Sequence, residues 1–97
     1  MNLSEINWHD SPIQRLSFND SDLEIELKEF GTLKPYILKI KDAESINVRT
    51  EDEIDLGEAE IGSLKLENGT LKIDVVGCTK GFMDITVVGG TIELKET

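Results

Sequence analysis

Between residues 64 and 95 apolar and polar side chains alternate with period two, and Asn68-Gly69 and Gly89-Gly90 interrupt the alternation. Period two is the repeat of a strand that buries one face. Both dipeptides suit the positive φ angles of two-residue type I′ or II′ turns between antiparallel neighbours. The first turn sets Leu66 opposite Leu71 and Leu64 opposite Ile73; the second sets Val87 opposite Ile92 and Ile85 opposite Leu94. Closing the loop of residues 77–81 with Val76 opposite Phe82 brings Ile73 against Ile85 and Leu71 against Val87. The expectation is a four-strand meander with two apolar rows, Leu64-Ile73-Ile85-Leu94 and Leu66-Leu71-Val87-Ile92. A slip of one residue would turn a row to solvent, so the register is strongly specified. The same register sets Asp74 opposite Asp84, a like-charge pair that Lys95 would partly offset.

The first half of the chain continues the pattern. Residues 1–12 suit a turn of helix with Ser4 as N-cap and Ile6 and Trp8 inward, ended by Pro12. Residues 13–18 and 23–29 read as a hairpin across Asn19-Asp20-Ser21-Asp22. Phe18 then faces Leu23, Leu16 faces Ile25, and the polar side sets Arg15 against Glu26 and Ser17 against Glu24. In residues 36–41, Tyr36, Leu38 and Ile40 share a face. The lysines at 39 and 41 around Ile37 suggest an edge or half-exposed strand. Residues 43–49 form a further short strand with Ile46 and Val48 inward. Residues 50–62 keep period two around Gly57 and read as a bent or bulged strand with an acidic face. The whole predicts one all-β domain over residues 1–97. It is an antiparallel two-sheet sandwich or partly open barrel built from consecutive hairpins, with at most one short N-terminal helical turn.

Composition narrows what such a domain does. Twenty acidic against ten basic residues give a net charge of −10. Residues 42–60 hold eight carboxylates (Asp42, Glu44, Glu51, Asp52, Glu53, Asp55, Glu58 and Glu60) against Arg49 alone, a net −7. Such a surface repels phosphate backbones and anionic lipid headgroups, so neither nucleic acid nor membrane is an expected partner; a basic protein or a cation is. No apolar run approaches the roughly 20 residues of a membrane span, and the N-terminus carries no signal-peptide pattern. Cys78 is the only cysteine, so no internal disulfide forms, and a cytoplasmic protein is expected.

No catalytic or cofactor-binding constellation emerges. His9-Asp10-Ser11 holds the residue types of a hydrolase triad, but consecutive residues of an extended chain point to opposite sides. Asp10 or Ser11 capping backbone amides ahead of Pro12 explains the motif better. One His and one Cys cannot make a structural zinc site. Asp20, Asp22 and Glu24 have the alternate spacing of a calcium loop without its glycine and bidentate Glu, which leaves a weak cation site open. The glycines at 77, 81, 89 and 90 open no phosphate-binding helix. No cofactor is expected.

The stretch Trp8-His9-Asp10-Ser11-Pro12-Ile13, followed by an alternating strand and an acidic all-β remainder, resembles small bacterial domains of unknown function. These open with an aromatic or leucine residue, then His-Asp-Ser, then a strand. Some are assigned as immunity proteins of toxin systems by gene neighbourhood. The resemblance implies a toxin-neutralising role, no catalytic residue, and structural work for His9, Asp10 and Ser11. Together with the charge it points to a non-catalytic module that masks a basic protein surface through Glu51, Asp52, Glu53, Asp55 and Glu58. The alternative is a small-ligand or enzymatic β-domain with a site near Trp8, His9 and Tyr36. A third possibility is a structural subunit that pairs strands through an exposed edge.

Overall fold

The structure, a computed structural model, describes residue 3 and residues 6–51, 59–77 and 81–97, with the backbone alone of Glu51. Among these residues the elements are eight β-strands: β1 (Ser11–Phe18), β2 (Leu23–Lys28), β3 (Pro35–Lys41), β4 (Ser45–Glu51), β5 (Glu60–Glu67), β6 (Thr70–Val76), β7 (Phe82–Val88) and β8 (Thr91–Glu96). All pairings are antiparallel. They join the strands into one open sheet of order β4-β7-β6-β5-β1-β2-β3-β8. Ser4, the expected N-cap, lies outside the described residues; beside it the Ile6 N–H donates to the Leu3 carbonyl at 3.4 Å.

Three hairpins, β1–β2, β5–β6 and β6–β7, stand where the alternation puts them. β1 and β2 pair Arg15 with Glu26, Leu16 with Ile25, Ser17 with Glu24 and Phe18 with Leu23, with a bulge between Ile13 and Arg15. β5, β6 and β7 pair Leu64 with Ile73, Leu66 with Leu71, Ile73 with Ile85, Leu71 with Val87 and Val76 with Phe82. Asn68 (φ 50°) and Gly69 (φ 77°) both take the positive φ of a type I′ turn.

The second turn corrects the expected meander. Ile85 does not pair with Leu94, nor Val87 with Ile92. The free side of β7 is taken by β4, with Val48 opposite Ile85 and Ile46 opposite Val87. β8 instead lies beside β3, with Leu94 opposite Leu38 and Ile92 opposite Ile40. Period two specifies which residues may face each other within a pair. Ile46 and Val48 meet that requirement as well as Ile92 and Leu94 do, so the pattern does not choose between the two partners.

Gly89-Gly90 and residues 42–44 therefore form a corner rather than two hairpin turns. β3 and β8 pair from Tyr36 with Glu96 to Lys41 with Thr91; β4 and β7 resume at Ser45 with Val88 and run to Glu51 with Phe82. The result is one long antiparallel ribbon in which three residues, Asp42-Ala43-Glu44, face two glycines. An extra residue on one strand is a bulge, and bulges bend a ladder and carry strands around sheet corners. Asp42, Gly89 and Gly90 all have positive φ (58°, 70° and 88°). A Cβ on Gly90 would lie 2.9 Å from the Lys41 carbonyl oxygen and 3.0 Å from the Ala43 Cα. Only glycine fits there.

The corner also moves β3 to the sheet interior. Its lysines do not mark an edge: Lys39 stands between Glu24 on β2 and Glu93 on β8, and Ile37 is half-buried. Inward rows from both halves of the sheet, with Ile6 and Trp8, make one hydrophobic cluster. Leu71, Ile73, Ile85 and Val87 are at most 1% exposed, matched on the other half by Ile25, Leu38 and Ile40 at 0%.

Ile85→Ala should cost roughly 2–5 kcal/mol in urea unfolding, because it deletes methylenes at a site with no room to collapse. Gly90→Ala should cost more than about 1 kcal/mol, although Gly90 is itself exposed, through φ strain and the close Lys41 carbonyl and Ala43 backbone.

Candidate functional site

The His9-Asp10-Ser11 segment is a built turn. Ser11 is fully buried; its Oγ–H donates to the Asn7 carbonyl at 2.7 Å and its Oγ accepts the Phe30 N–H at 3.0 Å. Asp10 has a φ of 65°, and its N–H donates to the Ile61 carbonyl at 2.8 Å. The His9 ring donates from Nδ1 to the Gly62 carbonyl at 2.7 Å, which fixes the tautomer and leaves Nε2 3.5 Å from Asp10 Oδ2. Each of the three groups has a separate backbone partner. The serine proton is committed to the Asn7 carbonyl and the imidazole to the Gly62 carbonyl. The segment ties the N-terminal residues to β5 and to the β2–β3 turn.

A residue that the sequence reading passed over completes this tie. Glu29 continues the inward parity of Leu23, Ile25 and Leu27, and it is buried. Its Oε2 accepts the Asn7 N–H at 2.9 Å, and its Oε1 accepts the Thr32 hydroxyl at 2.7 Å. These bonds, with the more distant charge of Lys34, hold its pKa below the ordinary 4.5 against the opposing effect of burial. A carboxylate at an inward position was the available signal.

Trp8, His9 and Tyr36 do not converge on one cavity. Trp8 is buried and donates from Nε1 to the Leu3 carbonyl at 2.8 Å, whereas the His9 side chain is 73% exposed. Tyr36 is buried between Leu27 and Glu96; the surface hollow that it lines, of about 340 Å³, includes neither Trp8 nor His9.

The described residues of the acidic stretch 42–60 are divided between two ends of the molecule. β4 runs from Ser45 to Glu51, and seven residues of strand span roughly 20 Å. Asp42 and Glu44 are at the ribbon corner, while Glu51 pairs with Phe82 and Glu60 with Val76 at the far end. Asp52, Glu53, Asp55 and Glu58 lie outside the described residues, as does the Glu51 side chain.

The corner gathers acids that are distant in sequence. The Ala43 N–H donates to the Ser21 carbonyl at 2.9 Å and the Asp42 N–H to Asp22 Oδ1 at 3.2 Å, which docks the β1–β2 turn. The Gly89 N–H donates to the Gly69 carbonyl at 2.9 Å, which docks the β5–β6 turn. Asp20, Asp22, Asp42, Glu44 and Glu67 are all exposed at this end with Lys41, and Lys65 and Lys72 line the same surface hollow as Glu67, five negative charges against three positive. Asp22 already holds backbone, and Glu24 is paired on the sheet face with Ser17 and Lys39. Among the described residues no three His, Cys, Asp or Glu side chains are placed to hold a metal ion.

On the outer face of β4–β7–β6–β5, Asp74 does stand opposite Asp84. The compensating cation is not Lys95, which is opposite Ile37 on the other half of the sheet. It is Arg49, whose Nη2 is 2.7 Å from Asp84 Oδ2. The guanidinium first, then a hydrogen bond with the Asp74 carboxyl, holds the Asp84 pKa below its ordinary value. Ser63 Oγ–H donates to Asp74 Oδ2 at 2.7 Å.

No protein family, curated protein or solved structure matches this chain. Among the described residues no helix is long and apolar enough to cross a membrane.

Glu29→Gln should cost about 1–2 kcal/mol at pH 7, because a charged acceptor of two hydrogen bonds becomes neutral. The native Glu29 has a depressed pKa, so its contribution is present above pH 4.5 and is lost as pH falls through the lower folded value. Thermal melts from pH 7 to pH 3 should therefore show wild type losing more stability than the variant. Arg49→Gln should cost up to about 1 kcal/mol at pH 7 by leaving Asp74 and Asp84 opposed, a cost that persists to pH 4 and shrinks only as the pH falls through the lowered Asp84 value.

Proposed function

We propose that this protein is a non-catalytic, cytoplasmic binding module of bacteria, an immunity protein that masks a basic surface of a toxin, such as the active site of a nuclease. The observation that carries this reading is the ribbon corner, where three connections bring five exposed carboxylates to one end of the molecule, with Lys41 and, beside Glu67, Lys65 and Lys72 as the opposing charges. Convergence of this kind focuses a negative potential, which speeds encounter with a cationic protein and repels nucleic acid and anionic membranes. Carboxylates concentrated at one end also repel each other in the compact state, a cost that a basic partner relieves. Glu51, Asp52, Glu53, Asp55 and Glu58 supply a second acidic segment of the sequence.

In this reading the halves β4–β7–β6–β5 and β1–β2–β3–β8 are the two layers of a partly open barrel, joined at the ribbon corner and at the short β1–β5 pairing. The interior is filled by side chains, as is usual for a barrel of this size, and the binding surface is on the outside. The separation of Trp8, His9 and Tyr36 weighs against an enzymatic or small-ligand site among them.

The test starts with capture of the partner from the native host at low and high salt, followed by association kinetics with two variants. One carries Asp20→Asn, Asp22→Asn, Asp42→Asn and Glu44→Gln; the other carries Glu51→Gln, Asp52→Asn, Glu53→Gln, Asp55→Asn and Glu58→Gln. A basic partner is expected. Neutralisation should slow association about tenfold and flatten its salt dependence while changing dissociation little. An acidic partner, or unchanged association by both variants, rejects the proposal.

A further inference from the structure

β8 ends the sheet, and among the described residues nothing pairs with its outer side. An unpaired edge is a template for another strand, and proteins that must stay apart usually blunt it with a proline, a bulge or charged side chains that a second copy cannot pair. β8 has no proline, and its ladder with β3 runs without a bulge through six residues. Ile92 and Leu94 are half-buried on its inward face, and Thr91, Glu93 and Lys95 point outward.

The charges on the outer face identify what fits this edge. Across β1, β2, β3 and β8 the outward residues include Arg15, Lys28, Lys39, Lys41 and Lys95 against Glu24, Glu26 and Glu93, five positive and three negative. This face is net +2 in a protein of net −10. The acidity that would drive two copies apart is therefore not on it. Along one row the signs alternate, Glu24, Lys39, Glu93, and the alternation stops at the edge with the next position empty. Glu93 already has Lys95 of its own strand at 3.1 Å.

We infer that β8 is a self-association edge, and that two copies pair antiparallel about a twofold axis through Leu94. In that register Leu94 faces Leu94 of the second copy, and Glu93 faces its Lys95 twice over. The row then continues Glu24, Lys39, Glu93, Lys95 across the boundary without a like-charge contact. A twofold axis makes the same patch serve both sides, which requires a self-complementary strand. On the opposite edge strand, β4, Arg49 is committed to Asp84 of the neighbouring strand at 2.7 Å, whereas Glu93 and Lys95 are both on the edge strand β8 itself. A six-residue strand buries less than the roughly 1,000 Å² of a stable interface, so the dimer is a weak one.

Sedimentation equilibrium across a concentration series up to about the millimolar range (where weak edge pairing is read) tests this with two single variants. Lys95→Glu places two acidic side chains opposite each other on either side of the axis, and Glu93→Lys places two basic ones there. Each should weaken the dimer on the order of tenfold. Mixed one to one, the Glu93→Lys chain presents a wholly basic pair of positions to the wholly acidic pair of the Lys95→Glu chain. A heterodimer should then form at least as tightly as the wild-type dimer. Melting curves of each variant alone confirm that it is folded. A wild-type protein that stays monomeric throughout, single variants that dimerise like wild type, or folded variants that stay monomeric when mixed would each overturn the inference.

Discussion

The close approach of Gly90 to the backbone of Lys41 and Ala43 is the constraint on which the rest of the molecule depends. There the β3–β4 strand runs against the β7–β8 strand with one residue too many, and the surplus is absorbed as a bend. Were the ribbon straight, its two ends could not belong to opposite halves of the sheet. The same bend brings the β1–β2 and β5–β6 turns against it, each by a backbone hydrogen bond. Fold and surface charge are thus set by one local geometry, and the glycine there answers to contact rather than to turn type alone.

Much of the pairing was legible because period two and short turns are local information. The registers of β1 with β2 and of β5, β6 and β7 follow from turn length and alternation, as does the burial of Ile73 and Ile85. The partner of β8 was not legible. Gly-Gly between two alternating strands reads equally as a hairpin turn and as a bulged corner, and only competition from β4 for the side of β7 decides between them. The acidic surface was half legible. Eight carboxylates within 19 residues are plain in the sequence, yet a strand running through them separates them in space. Asp20, Asp22 and Glu67, which share an end with Asp42 and Glu44, are far from them along the chain. Glu29 was missed because an acidic residue continuing an inward row looks like the end of a strand.

Charge is sorted by face in this protein, which the bulk value of −10 conceals. Arg49 is spent on the Asp74–Asp84 pair, and five of the ten basic residues are on the outer side of β1, β2, β3 and β8. The carboxylates at the corner outnumber the lysines near them. Charge therefore has a direction in this molecule: one end is acidic and one sheet face is slightly basic.

The bent ribbon also has a consequence for the order in which the chain acquires structure. Its partners are between 31 and 60 residues apart, from Glu51 with Phe82 to Tyr36 with Glu96. Hairpins β1–β2 and β5–β6 close over a few residues, but neither half of the sheet gains its outer strand from a neighbour in sequence. β4 waits for β7, and β3 waits for β8, which follows every other strand in chain order. Loop closure over such distances comes before the contacts that reward it, which places this small protein among slow-folding topologies despite its short turns. Until then β3 offers a bare edge with Tyr36, Leu38 and Ile40 beside it, and the six residues of β8 are what cover it.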